Sequence, residues 1–80
     1  MARRILNRAE AHRFARSVRL VINQMGITHE VLALACAEEG VSVPYVKQVL
    51  NGAVVYESAK LRAIAAALGL NLPAVHSSTD

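Results

Sequence analysis

Gly26-Ile27-Thr28-His29-Glu30-Val31-Leu32-Ala33 and, further on, Gly40-Val41-Ser42-Val43-Pro44-Tyr45-Val46-Lys47-Gln48-Val49-Leu50-Asn51-Gly52 read as two short helices hinged at a glycine. Thr28 is placed to cap the first, and Glu30 sits where a negative charge suits the start of a helix. Ser42 caps the second, and Pro44 falls in its first turn, where a missing amide proton costs nothing. Val46, Val49 and Leu50 form its inward stripe, which leaves Val43, Pro44, Lys47 and Gln48 facing outward. Asn51-Gly52 closes it.

The same rules place the remaining elements. Asn7 and Glu10 have the spacing of a capping box, and Phe14, Val18, Val21, Ile22 and Met25 make one apolar stripe, so a first helix is expected over residues 8–25 and ended by Gly26. Arg8, His12, Arg16 and Arg19 fall on its other face. The segment Val31 to Ala37 is apolar on every side, and such a helix requires cover on more than one face, from the long first helix or from a second subunit. Ser58 caps a fourth helix with Leu61, Ile64, Ala65 and Leu68 inward and Gly69 as its stop; Asn71 to Val75 looks like a final single turn. Val54-Val55-Tyr56 is either packing beneath the fourth helix or an exposed patch that pairs subunits.

Composition bounds the function. The chain has 80 residues, 54% hydrophobic and only 4% aromatic, rich in Ala, Leu and Val, which suits one all-helical domain. No run reaches the ~18 uncharged apolar residues of a membrane span. Cys36 stands alone, so an intrachain disulfide is impossible and a reducing, cytoplasmic compartment is the natural expectation. Within an apolar run it reads as a small core residue rather than a redox sensor. His12, His29 and His76 are far apart and unpaired with carboxylates at helical spacing. No phosphate loop or nucleophile elbow accompanies them, so no catalytic residue, metal or cofactor is expected, and the chain does not read as an enzyme.

Charge is uneven. The net charge is +3, yet residues 1–19 hold six arginines against Glu10 alone, while residues 20–80 hold three cations against five acids. A polyanionic partner is the economical reason for a basic N-terminal face. The plainer reading is a solvated helix face, and an Arg-rich amphipathic N-terminus also fits a membrane-surface helix or a presequence. Both of these fit less well, because Val18 and Val21 of that apolar stripe are already taken as core of the helical domain.

Taken in order, Gly26-Ile27-Thr28-His29-Glu30, Gly40-Val41-Ser42, Tyr45-Val46, Asn51-Gly52 and Ile64-Ala65-Ala66-Ala67-Leu68-Gly69-Leu70 resemble the helix-turn-helix domain of the Cro and lambda-repressor family. The resemblance spans roughly Val18 to Val75. It implies an all-α, five-helix domain whose third helix enters the major groove, normally as a homodimer on a two-fold symmetric operator in double-stranded DNA. The domain would occupy residues 8–75 with an extended, Arg-rich first helix, behind a basic arm at 1–7 and before a polar tail at 76–80.

Carried residue by residue, the resemblance makes Val43, Pro44 and Gln48 base-reading positions, with Lys47 able to reach a guanine or a phosphate. It gives backbone contacts to Thr28, His29, Ser42, Tyr45 and Asn51, with His29 standing where the family commonly has glutamine. Arg3, Arg4, Arg8, Arg16 and Arg19 add phosphate contacts from the N-terminal side. Gln48 suits an adenine edge and Val43 a thymine methyl. Tyr56, Leu70, Leu72 and Val75 are the candidate dimer surface. The sequence departs from the family between Ala33 and Gly40, where six residues stand, about three more than the usual spacing. Either helix two gains most of a turn or the hinge is enlarged.

The expected function is a phage or prophage repressor acting by operator occupancy in the bacterial cytoplasm. Two alternatives remain: an antitoxin or other module that docks a protein partner, and a non-specific architectural DNA binder driven by the arginines.

Overall fold

The computed structural model describes residues 6–70, which form four α-helices and a short 3-10 turn in the order α1 (Arg8–Met25), α2 (His29–Ala35), the 3-10 turn (Ala37–Glu39), α3 (Val43–Leu50) and α4 (Ala59–Leu68). No β-strand occurs among the described residues, and no helix there is long and apolar enough to cross a membrane. The expected final turn at Asn71 lies outside the described residues, as do the arm residues Arg3 and Arg4, the tail, and Leu72 and Val75 of the candidate dimer surface.

Local capping begins each α-helix. Asn7 accepts the Glu10 amide at 2.8 Å while the Glu10 carboxylate accepts the Asn7 amide at 3.0 Å, closing the capping box on α1. Thr28, Ser42 and Ser58 each accept the amide three residues on, from Val31, Tyr45 and Leu61. Each such cap is worth about 1 kcal/mol. Gly26 at φ +70° ends α1, and the Ile27 amide donates back to the Ile22 carbonyl at 3.1 Å, the pairing that turns the next apolar residue inward. Gly69 and Leu70 repeat that arrangement on the Ala65 carbonyl at the end of α4.

The core is one cluster to which every helix contributes. Val18, Val46, Leu61 and Ile64 are fully buried, with Phe14, Ile22, Leu32, Ala33, Cys36, Val41, Val49, Leu50, Ala65 and Leu68 around them. α3 packs on α1 and α2, and α4 on α1, α2 and the 3-10 turn. Burial of one such aliphatic side chain stabilises the fold by about 1.5–3 kcal/mol.

Several expectations need correcting or sharpening. Met25, assigned to the buried stripe of α1, is 55% exposed. The core ends one turn earlier at Ile22, and the Gly26 turn brings Ile27 onto it instead. Val43 does not face outward but is half-buried against the core. The long first helix does not cover α2, since α1 lies against α3 and α4. Only Leu32 and Ala33 of α2 are buried, while Val31, Ala35 and above all Leu34, at 77%, are exposed.

The extra residues after Ala33 enlarge the hinge rather than lengthen the helix: α2 stops at Ala35, Cys36 turns into the core, and Ala37–Glu39 form the 3-10 turn that Gly40 ends at φ +84°. Ala33, not Ala35, therefore faces the core. Burial pushes the Cys36 thiol above its ordinary pKa, and the neighbouring Glu39 carboxylate adds to the effect.

Finally, Leu6 and Asn7, the last residues of the expected arm, belong to the folded unit. Leu6 is 2% exposed, and its amide donates to the Val55 carbonyl at 2.7 Å. This anchors the start of α1 to the connector before α4. Val55 and Val54 are half-buried, Val54 packing against the core, whereas Tyr56 is exposed.

Candidate nucleic-acid interface

The outer face of α3 is a ridge made by Pro44, Lys47, Gln48 and Asn51, all exposed, with Lys47 and Gln48 each three or four residues from Pro44 and from Asn51. Its inner face, Val46, Val49 and Leu50, is buried, which fixes the helix rotation and holds the ridge outward. Val43 contributes at most an edge, since half of it is committed to the core.

Lys47 and Gln48 are neighbours in sequence but lie on opposite flanks of this ridge. On one flank, Lys47 and Asn51 line a concavity of about 290 Å³ together with Arg19 of α1, His29 of α2 and Leu50. Three separate elements thus deliver two permanent cations, an imidazole and a carboxamide to one hollow beside the exposed helix. Arg19 is held there: its Nη2 donates to the Leu50 carbonyl at 3.0 Å, at the C-terminal end of α3 where free carbonyls attract a cation. A guanidinium has five N–H donors, so this bond leaves others for a ligand.

On the other flank, Gln48 borders a wider groove of about 540 Å³ whose wall includes Tyr45, Val54, Tyr56 and Lys60. Tyr45 is half-buried, its hydroxyl 3.4 Å from the Ser58 hydroxyl and its ring 5.3 Å from the Lys60 ammonium. It ties α3 to the start of α4 and orients the ridge from behind.

Of the α1 arginines, Arg19 meets the C-terminal end of α3. Arg8, Arg13, Arg16 and Arg19 are exposed, and Arg13 and Arg16 share a second concavity of about 290 Å³ with His12. His12 leans over Gly52, where a Cβ would meet its Nδ1 at 2.7 Å; Gly52 also sits at φ +72°. The left-handed turn after α3 therefore favours glycine, and a side chain there would also have to displace the His12 ring.

Among the expected site residues, the structure brings Arg19, His29, Lys47 and Asn51 into one hollow, and Pro44 and Gln48 onto the ridge beside it. Thr28 and Ser42 serve as helix caps with exposed hydroxyls. Tyr56 is exposed, whereas Leu70 is half-buried against its own core. No group of three His, Cys, Asp or Glu side chains among the described residues could hold a metal ion. Comparison with protein-family models, with curated proteins and with solved structures gives no match.

Proposed function

We propose that this chain is a sequence-specific double-stranded DNA-binding regulator of the Cro and lambda-repressor kind, with the five-helix fold that implies, acting as a phage or prophage repressor in the bacterial cytoplasm. The observation that carries the proposal is the ridge of α3, a polar helix face held outward by a buried one and flanked by a cationic hollow. An α-helix fits the major groove of B-form DNA, and cations beside it meet the phosphates that line the groove. In this reading Gln48 and Pro44 face base edges, with Gln48 able to bond an adenine through both its amide atoms. Lys47 belongs with Arg19, His29 and Asn51 on the phosphate side. Repression follows from occupancy, by a homodimer presenting two such ridges one helical turn, about 34 Å, apart.

Amide NMR during titration with a mixed-sequence duplex tests this. The proposal expects shifts concentrated on α3, His29 and the Arg19 region of α1. Shifts confined to α2, or none, would oppose it.

A second reading is favoured by one observation, the open apolar face of Val31, Leu34 and Ala35 on α2. A Leu side chain exposed as fully as Leu34 suits a partner surface, as in the antitoxin of a toxin–antitoxin pair. The two roles are compatible in one chain because Val31, Leu34 and Ala35 line neither the hollow nor the groove beside α3.

A further inference from the structure

We infer that the hollow formed by Arg19, His29, Lys47 and Asn51 seats one DNA backbone phosphate and takes up a proton at His29 as it does so, making DNA affinity dependent on pH. This rests on the DNA-binding reading above and adds to it a specific ligand group and a linked equilibrium.

The geometry supplies the first half. Arg19 from α1 and Lys47 from α3 line one concavity without a carboxylate among its lining residues. Arg19 is already fixed by the Leu50 carbonyl, so less freedom is lost when an anion arrives than for an untethered arginine. Asn51 adds an amide donor at the end of α3. An anion with several acceptor oxygens satisfies such converging donors, and in a helix-turn-helix complex the nearest one is a backbone phosphate.

His29 supplies the second half. It is half-buried at the start of α2 and lines the hollow; the charged groups around it are Arg19 and Lys47 across the hollow and Glu30, exposed, next to it on its own helix. No residue of α4 or of the 3-10 turn lines this concavity. Histidine changes charge between about pH 5 and 8. A neutral imidazole offers one N–H, and its protonated form offers two together with a positive charge. A phosphate seated beside it favours the imidazolium, so binding draws one proton from solvent and low pH favours binding in return. The sign follows: the bound state holds the proton more tightly than the free state, so the added affinity is present at low pH and is lost as pH rises through the bound-state titration.

The test measures affinity for a mixed-sequence 20-base-pair duplex by fluorescence anisotropy from pH 5.5 to 8.0 at constant ionic strength. Wild type, His29→Gln and His12→Gln are compared, with helical content checked by circular dichroism. Imidazole proton NMR of the same samples reads the His29 titration directly, free and bound. The inference expects affinity to rise at least about fivefold toward low pH, the lower end of the range for linked binding equilibria. That rise should be lost in His29→Gln and kept in His12→Gln, with the His29 titration moving to higher pH on DNA. Binding that is independent of pH, or a pH slope that survives in His29→Gln, would overturn the inference and leave DNA binding standing. Absence of binding at every pH would overturn the DNA reading itself and this inference with it.

Discussion

The Arg19 guanidinium donates to the Leu50 carbonyl at 3.0 Å, joining residues 31 positions apart and bolting the basic face of α1 to the C-terminal end of α3. One side chain thereby serves both the fold and the proposed interface. Arg19→Ala should lower stability by about 1–2 kcal/mol through the lost charge-assisted bond. It should also weaken binding to all DNA sequences alike and reduce the salt slope by about 1. Arg19→Lys should restore much of the salt slope but not the stability, since an ammonium is a point charge without the planar fork. Urea unfolding and binding at several salt concentrations separate the two effects.

Gln48 should carry base preference rather than bulk affinity. On the selected operator, Gln48→Ala should cost about 1–3 kcal/mol, with little change on random DNA. Equal losses on both would place Gln48 on the backbone and remove it from the reading face. Anisotropy titrations against the two duplexes give the comparison.

The turn after α3 should be intolerant of a side chain. Gly52→Ala combines a left-handed backbone, costing about 1–2 kcal/mol, with a Cβ driven against the His12 ring. His12→Ala in the same chain removes only the second part. The double variant should therefore be more stable than the sum of the single effects implies, a coupling that a thermodynamic cycle measures.

Cys36 gives a pH prediction of fixed sign. Its folded-state pKa is raised by burial and then by Glu39, so the unfolded chain ionises first. Stability should be unaffected by this group below about pH 8, where a free thiol is protonated, and should fall as pH climbs past the ordinary thiol range near 8.5 toward the folded-state value. Cys36→Ala should lose that alkaline slope while costing a little stability throughout. Denaturant unfolding from pH 7 to 10 shows whether the slope belongs to Cys36.

The open face of α2 separates the two proposed roles. Leu34→Ser should change monomer stability by no more than about 0.5 kcal/mol, because the side chain is largely in water. If that face joins two copies, sedimentation should show the variant shifting toward monomer. If it docks a different protein, the self-association of the chain should be unchanged.

Much of this architecture could be read locally. Asn7 with Glu10, Thr28, Ser42 and Ser58 announce helix starts through contacts spanning three residues, and Gly26 and Gly69 announce ends through a backbone conformation, so neither signal depends on the rest of the fold. What escaped is what tertiary contact decides. Met25 continues the period of α1, but no element among the described residues covers it; Val43 sits at an outward-seeming position but is close enough to the core to lean inward.

Leu6 lay in a basic stretch that composition alone marks as an arm, and only its pairing with Val55 reveals the anchor. The candidate site was legible as residue types along α1, α2 and α3. Its division into a phosphate flank with Lys47 and an open flank with Gln48 was not, since two adjacent positions on a helix look alike until their neighbours are known.

The measurement that tests the central claim most directly is selection of bound sequences from random duplex DNA at about 0.15 M salt, near physiological ionic strength, with wild type and Gln48→Ala side by side. The account predicts a two-fold symmetric motif whose half-sites lie about one helical turn apart, with at least one position relaxed in the variant. Binding with no enriched motif, or one that Gln48→Ala leaves intact, would contradict the claim that the ridge of α3 reads DNA.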